Sequence, residues 1–218
     1  MASPSSDTPT TVHCPSCGFA FVPDEHDSPP AELIEALPAP KGMTVATEGG
    51  GLVIRRRWFS PSAFFLLGFA VFWDGFLVVW YTIALSGALG GDDAAAMALL
   101  FPLLHVAAGV GITWLALATL LNTTKITLRS GELSVEHGPV PWKRPPTLKA
   151  GDLEQLWVVE KRGNKGGRSY QLHARTRQGV AHKLVSGLQD VNQARFLERR
   201  LEAALGIRDR KVQGEYRD

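Results

Sequence analysis

The sequence predicts an α+β membrane protein: a two-helix transmembrane hairpin inserted next to a small antiparallel β domain that a C-terminal amphipathic helix caps. Three observations lead there. Residues 62–85 and 96–121 are almost wholly apolar. The segments flanking them alternate apolar and polar residues between glycine-containing turns. Near the C-terminus, apolar residues recur at helical spacing. Averaged over 218 residues the composition, 45% hydrophobic and 20% charged, looks like that of a soluble protein. The segregation along the chain decides the class, and the average conceals it.

Residues 1–11 are small, polar and proline-containing, and are expected to be a disordered tail. No basic stretch followed by an apolar core opens the chain, so no cleavable signal peptide is expected. In residues 12–28, Cys14-Pro-Ser-Cys17-Gly18 resembles one knuckle of a zinc ribbon, two thiols on a tight turn. Tetrahedral zinc takes four ligands, and no second such pair follows. His26 is the nearest third ligand, Asp24 or Asp27 could assist, and two chains could pool their cysteines. A zinc site, a redox pair and an inert turn with reduced thiols remain open. Two cysteines make no disulfide framework. Residues 29–41 are a proline-rich linker around a short AELIEAL segment.

Residues 42–60 form a β-hairpin about Gly49-Gly50-Gly51, and residues 61–85 are the first span. Residues 86–95 are an external loop and residues 96–121 the second span. Each apolar run exceeds the roughly 20 residues needed to cross about 30 Å of hydrocarbon. Arg55, Arg56 and Arg57 stand just before the first span, Lys125 and Arg129 follow the second, and the loop carries Asp92 and Asp93. Positive charge collects on the cytoplasmic side. Both termini are therefore expected inside the cell inner (plasma) membrane, with the acidic loop outside. Trp58, Phe59, Trp80 and Tyr81 fit interfacial anchors, and Trp73 and Trp114 lie deeper. Helix rise places Asp74 about 16 Å and His105 about 14 Å below the outer ends of their helices. Ionisable groups at that depth seek partners, so the two are expected to hydrogen-bond across the hairpin. The pair is either a clamp or, in an oligomer, a proton relay or channel.

Residues 122–207 carry strand patterns at Ile126–Leu128, Leu133–Val135, Leu153–Val159 and Tyr170–Leu184. Asp190 can cap a following helix with Gln193 in a capping box. Its apolar stripe is Ala194, Leu197, Leu201, Ala204 and Leu205, and Gly206 ends it. Residues 208–218 are a polar tail. This order of strands and closing helix resembles bacterial pleckstrin-homology-like domains that occur beside paired transmembrane helices. With RRRWFSP and the first span, residues 42–207 resemble an uncharacterised family of small bacterial membrane proteins. The resemblance implies a fold and a location, and no activity.

Residues 1–57 carry four basic and seven acidic side chains, and residues 122–218 carry nineteen and eleven. A basic part after the membrane is drawn to anionic head groups. Its cations are scattered and not clustered, so the bilayer and a protein partner are expected, with homo-oligomers open and no nucleic acid. Lys161, Arg162, Lys165 and Arg168 surround the Gly163–Gly167 turn as a candidate contact for anions or lipid heads. No HExxH, GxSxG or P-loop pattern assembles reactive groups. The expected role is a non-catalytic, membrane-anchored interaction module, with a zinc- or redox-responsive protein as the alternative.

Overall fold

The structure, a computed structural model, describes residues 37–163, 166–208, 212, 215 and 216, and the backbone of residues 12–13 and 20–21. It divides into two compact units, residues 39–150 and a second comprising residues 1–38 with 151–218.

The first unit is built on an antiparallel sheet. Strands β3 (Met43–Glu48) and β4 (Gly51–Arg57) form the hairpin expected before the membrane. Its turn residues Gly49 and Gly50 have φ of 55° and 75°, the two positive values a tight hairpin turn needs. A Cβ on Gly51 would come within 2.6 Å of the Leu128 carbonyl oxygen, so only glycine fits where the next strand passes. That next strand is β5 (Thr123–Arg129), followed by β6 (Glu132–Gly138) and the short β7 (Leu148–Lys149). The sheet order is β3-β4-β5-β6-β7. The hairpin before the apolar runs therefore joins the sheet after them, and residues 43–57 and 123–149 are one structure. Pairing of β4 with β5 continues to Arg57↔Thr123, and the Trp58 amide then donates to the Asn122 carbonyl at 3.0 Å. Everything between residues 58 and 122 is an insertion into one strand-to-strand connection. One face of the sheet buries Ile54, Ile126, Leu133 and Val135, the alternate positions that a pleated strand turns to the same side.

The insertion is helical. Helix α1 spans Ser62–Leu89, and a brief connection leads to α2 (Asp93–Ala98) and α3 (Leu103–Leu121). Helix α1 runs four residues past the expected end of the first span, and the loop is correspondingly shorter. Asp92 caps α2, its Oδ1 accepting from the amides of Ala94 and Ala95 at 2.9 and 3.3 Å. The second apolar run is one span by length and composition, but it is broken at Leu99–Pro102 because proline supplies no amide hydrogen. Ala63, Ala70, Leu77 and Ala84 are the buried residues of α1. Their seven-residue spacing makes a single seam of the kind that packs at a shallow left-handed crossing. Gly109 and Ala116 repeat that spacing on α3 and are also buried. Most remaining apolar side chains face outward, with Phe65 81% and Leu104 79% exposed.

The second unit holds β8 (Leu153–Arg162), β9 (Arg168–Thr176) and β10 (Ala181–Leu188), antiparallel in the order β10-β9-β8. Helix α4 (Val191–Leu205) packs on this sheet and buries Ala194, Phe196, Leu197 and Leu201. Asp190 caps it, accepting from the Asn192 amide at 2.9 Å, and Gly206 ends it in the left-handed conformation, φ 66°. The expected stripe is corrected at its end: Ala204 is exposed and Leu205 half-buried, while Phe196 and Glu202 are buried instead. In the N-terminal part, β1 (Val12–His13) pairs antiparallel with β2 (Ala20–Phe21).

Candidate functional sites in the hairpin and at its base

The base of the hairpin is a polar and aromatic cluster on one face of the first sheet. The register places Arg56, Thr124 and His137 side by side on β4, β5 and β6. The Trp58 indole donates to Thr124 Oγ1 at 2.6 Å, and Thr124 Oγ1 lies 3.0 Å from His137 Nδ1. An indole only donates, so Thr124 Oγ1 accepts from Trp58, and it donates to His137 Nδ1 or accepts from it according to the tautomer of the ring. Trp58 meets His137 and Trp142 edge-on, with ring centres 5.4 and 5.3 Å away. Asn122, 1% exposed, closes the cluster. Its Nδ2 donates to the Val140 carbonyl at 2.9 Å, and its Oδ1 accepts from the Val140 amide at 2.7 Å.

The three arginines before the first helix do not act alike. Strand alternation sends Arg55 and Arg57 to one face and Arg56 to the other. Arg55 is held by Glu48 through two bonds of 2.8 and 3.1 Å, and Arg57 is exposed. Arg56 is 7% exposed, and burial pulls its pKa down to about 10, so it stays charged at neutral pH. Of the three membrane-flank arginines, one is exposed, one ion-paired and one buried.

Burial, then Arg144, then Arg56 hold the His137 imidazole below its ordinary pKa. His173 in the second unit is lowered by burial, then by Lys183 and Lys161. The folded state therefore resists protonation of both rings. As pH falls through the unfolded value near 6.5, the unfolded chain takes up protons that the folded chain does not. Stability is fully present above that value, declines below it, and levels off once the folded rings are protonated too. Thermal unfolding of detergent-solubilised protein should show a midpoint that falls between about pH 7 and pH 5. The double variant H137Q/H173Q should flatten that slope; an unchanged slope would refute the assignment.

Within the hairpin, Asp74 and His105 are not bonded to each other. Asp74 Oδ2 accepts from Thr113 Oγ1 at 2.7 Å. Its Oδ1 lies over Gly109, where a Cβ would stand 2.5 Å away. Gly109 and Thr113, one helical turn apart, form the cradle for the carboxyl, and His105 belongs to a different level. The His105 ring stacks on Trp73 at 5.8 Å and leans on Phe101 at 5.8 Å. Its Nδ1 is buried with no hydrogen-bond partner among the described residues. Beside Asp74 and Thr113 lies a groove of about 730 Å³, otherwise lined mainly by leucine, valine, Tyr81 and Trp114.

Three aromatic residues of α1, Trp73, Trp80 and Tyr81, complete the seam, a role that the expected interfacial anchoring of Trp80 and Tyr81 did not include. The break at Pro102 frees the carbonyl of Ala98, four residues earlier, and the Trp80 indole donates to it at 3.1 Å. The Leu103 amide turns to Leu100, and the Tyr81 hydroxyl donates to the Leu99 carbonyl at 3.2 Å. The Trp73 indole reaches the His105 carbonyl at 3.1 Å. A proline in an apolar helix is tolerated where a neighbouring helix satisfies the freed groups. Pro102 facing aromatic donors on the first span was the available signal. W80F should cost about 1 kcal/mol, the loss of a hydrogen bond to a part-buried carbonyl. In a P102A background residue 102 regains its amide hydrogen, so the W80F cost should shrink; equal costs in both backgrounds would contradict the assignment.

At the β8–β9 hairpin, Arg162 and Arg168 both approach the Glu160 carboxylate, at 3.7 and 3.4 Å. Two of the four expected anion contacts are thus partly neutralised from within. Lys161 shares that hairpin end, and Lys165 lies outside the described residues. Cys14, Cys17, His26 and residues 29–36 of the linker also lie outside them. Among the described residues no group of three metal-ligating side chains converges. His173 and His182, on neighbouring strands, project to opposite faces, because His173 pairs with Lys183 and His182 with Ala174.

No protein-family model matches this chain, and no curated protein matches it. The functional reading therefore rests on the geometry of the hairpin and its base.

Proposed function

We propose that the chain is an integral protein of the cell's inner (plasma) membrane in which a two-helix anchor holds a non-catalytic interaction module at the cytoplasmic face. The observation that carries this reading is the insertion of α1, α2 and α3 between β4 and β5, paired down to Arg57↔Thr123. A hairpin that leaves and rejoins one sheet has both feet on one side of any bilayer it crosses. Its outward surface is a continuous apolar collar, including Phe65, Phe72, Phe101 and Leu104. Such a surface in water would far exceed the patches that soluble monomers expose, whereas lipid covers it at no cost. The Trp58, Trp142 and Arg57 rim at the base suits head-group depth. Strands following one another in two antiparallel sheets, with α4 packed on the second, support the pleckstrin-homology-like reading of residues 42–207 and its kinship with small bacterial membrane proteins.

Alkaline carbonate extraction of cell membranes should leave the chain in the pellet, and release into the supernatant would contradict the anchor. Gentle solubilisation should then recover a reproducible protein partner with the β module.

A second reading, a zinc- or redox-responsive membrane protein, is favoured by the pairing Val12↔Phe21 and His13↔Ala20, which brackets the Cys14–Cys17 segment. Bound zinc lost in a Cys14/Cys17 double-serine variant would support it. The proton-relay reading is weaker, because Asp74 is bonded to Thr113 and not to His105.

A further inference from the structure

The free edge of β8 is covered by the chain's own C-terminal tail. The Tyr216 amide donates to the Val158 carbonyl at 2.7 Å. The Val158 carbonyl therefore points away from β9, and by strand periodicity so do the backbone groups of Leu156 and Glu160. The Leu156 carbonyl is met by Gln155 Nε2 at 2.9 Å, and that amide is also 3.2 Å from Glu202 Oε1 on α4. The edge is thus closed at one position by a buried side chain and at the next by the tail. The Tyr216 ring packs edge-on against Tyr170 of β9, centres 5.1 Å apart, and under the Arg195 guanidinium of α4 at 5.6 Å. Just before Tyr216, the Glu215 amide donates to the Val212 carbonyl at 3.3 Å, and the Val212 amide to Glu215 Oε2 at 3.2 Å.

An exposed edge strand pairs readily with other chains, and addition of an extended peptide to such an edge is a recurring mode of recognition. Here the backbone bond at Val158 and the aromatic seat between Tyr170 and Arg195 lie together, one reading main chain and the other a side chain. We infer that the β8 edge beside α4 is a peptide-docking site, and that its occupant is a tyrosine-bearing segment of which the chain's own tail is the resident example. The tail competes with any such segment presented by a protein partner. The inference deepens the interaction-module reading by naming the partner's chemistry, and the two fail separately: the test below contains neither membrane insertion nor an unknown partner.

The probe is a fluorescent peptide of residues 208–218, RDRKVQGEYRD, titrated by anisotropy against detergent-solubilised protein. A tail tethered to its site acts at an effective concentration in the millimolar range, so a chain ending at Arg208 should bind the peptide about tenfold or more tighter than the full chain. The same peptide with Tyr216→Ala should not bind, and Arg195→Ala in the shortened chain should weaken binding. Should the shortened chain fail to fold, the full-length Y216A chain replaces it, and it too should bind the peptide more tightly than the unaltered chain. Equal affinity of the folded released-tail protein and the full chain, absence of binding to the former, or binding indifferent to Tyr216 in the peptide would each overturn the inference.

Discussion

Replacing Gly109 with leucine is expected to force the helical hairpin apart and to lower stability by about 2–4 kcal/mol. Even the first added atom, a Cβ, would lie 2.5 Å from Asp74 Oδ1 and 3.0 Å from Trp73 Cδ1. Neither neighbour can retreat freely. Asp74 is tied to Thr113, and Trp73 is held by its bond to the His105 carbonyl. Overpacking of a fitted seam costs about 1–3 kcal/mol, and parting Asp74 from Thr113 adds about 1 kcal/mol or more. Gly109→Ala should show the same sign at smaller size. Asp74→Ala should soften the alanine effect by vacating the space, giving a measurable coupling. Unfolding midpoints in detergent, read across this set, check the assignment, and a tolerated leucine would show that α1 and α3 do not meet there.

The other large effect is expected at Asn122. Asn122→Ala removes both bonds to the Val140 backbone at the base of the hairpin. It leaves a part-buried amide and a part-buried carbonyl without their partners, at about 1 kcal/mol or more each. Asn122→Leu, which keeps bulk and loses both bonds, should be about as costly as alanine. If leucine restored stability, packing and not hydrogen bonding would be what Asn122 contributes. The Trp58 amide donates to the Asn122 backbone carbonyl, which both variants keep but no longer hold in place through the side chain, so hydrogen exchange should rise first at Val140 and Trp58.

Several features were legible in the sequence because local rules encode them. The glycine turn at Gly49–Gly50, the Asp190 cap, the Gly206 terminus and the two apolar runs all lie where residue chemistry puts them. The union of the two β segments was not legible, since nothing local in Leu52–Arg57 names Thr123–Leu128 as its partner. Depth alone matched Asp74 with His105. Rotation about the helix axis decides contact, and the break at Pro102 starts α3 afresh, so that the carboxyl meets Gly109 and Thr113. Trp80 and Tyr81 were read as anchors because the same residue types serve at interfaces and as donors to freed carbonyls. Arg55, Arg56 and Arg57 lie in the expected hairpin, and the period of a strand applied to them would have separated Arg56 from its two neighbours.

The central claim, that the hairpin crosses a bilayer with both of its feet on one side, is tested most directly by sided cysteine labelling. With Cys14 and Cys17 first replaced by serine, single cysteines at Thr47, Asp93 and Glu132 place one probe on each foot and one at the helical tip; all three positions are exposed. A membrane-impermeant maleimide applied to intact cells, with the outer barrier opened where there is one, should label the Asp93→Cys protein and spare the other two. Inverted membrane vesicles should reverse the pattern. Labelling of Thr47→Cys and Glu132→Cys from opposite sides, or of all three from the same side, would contradict the account.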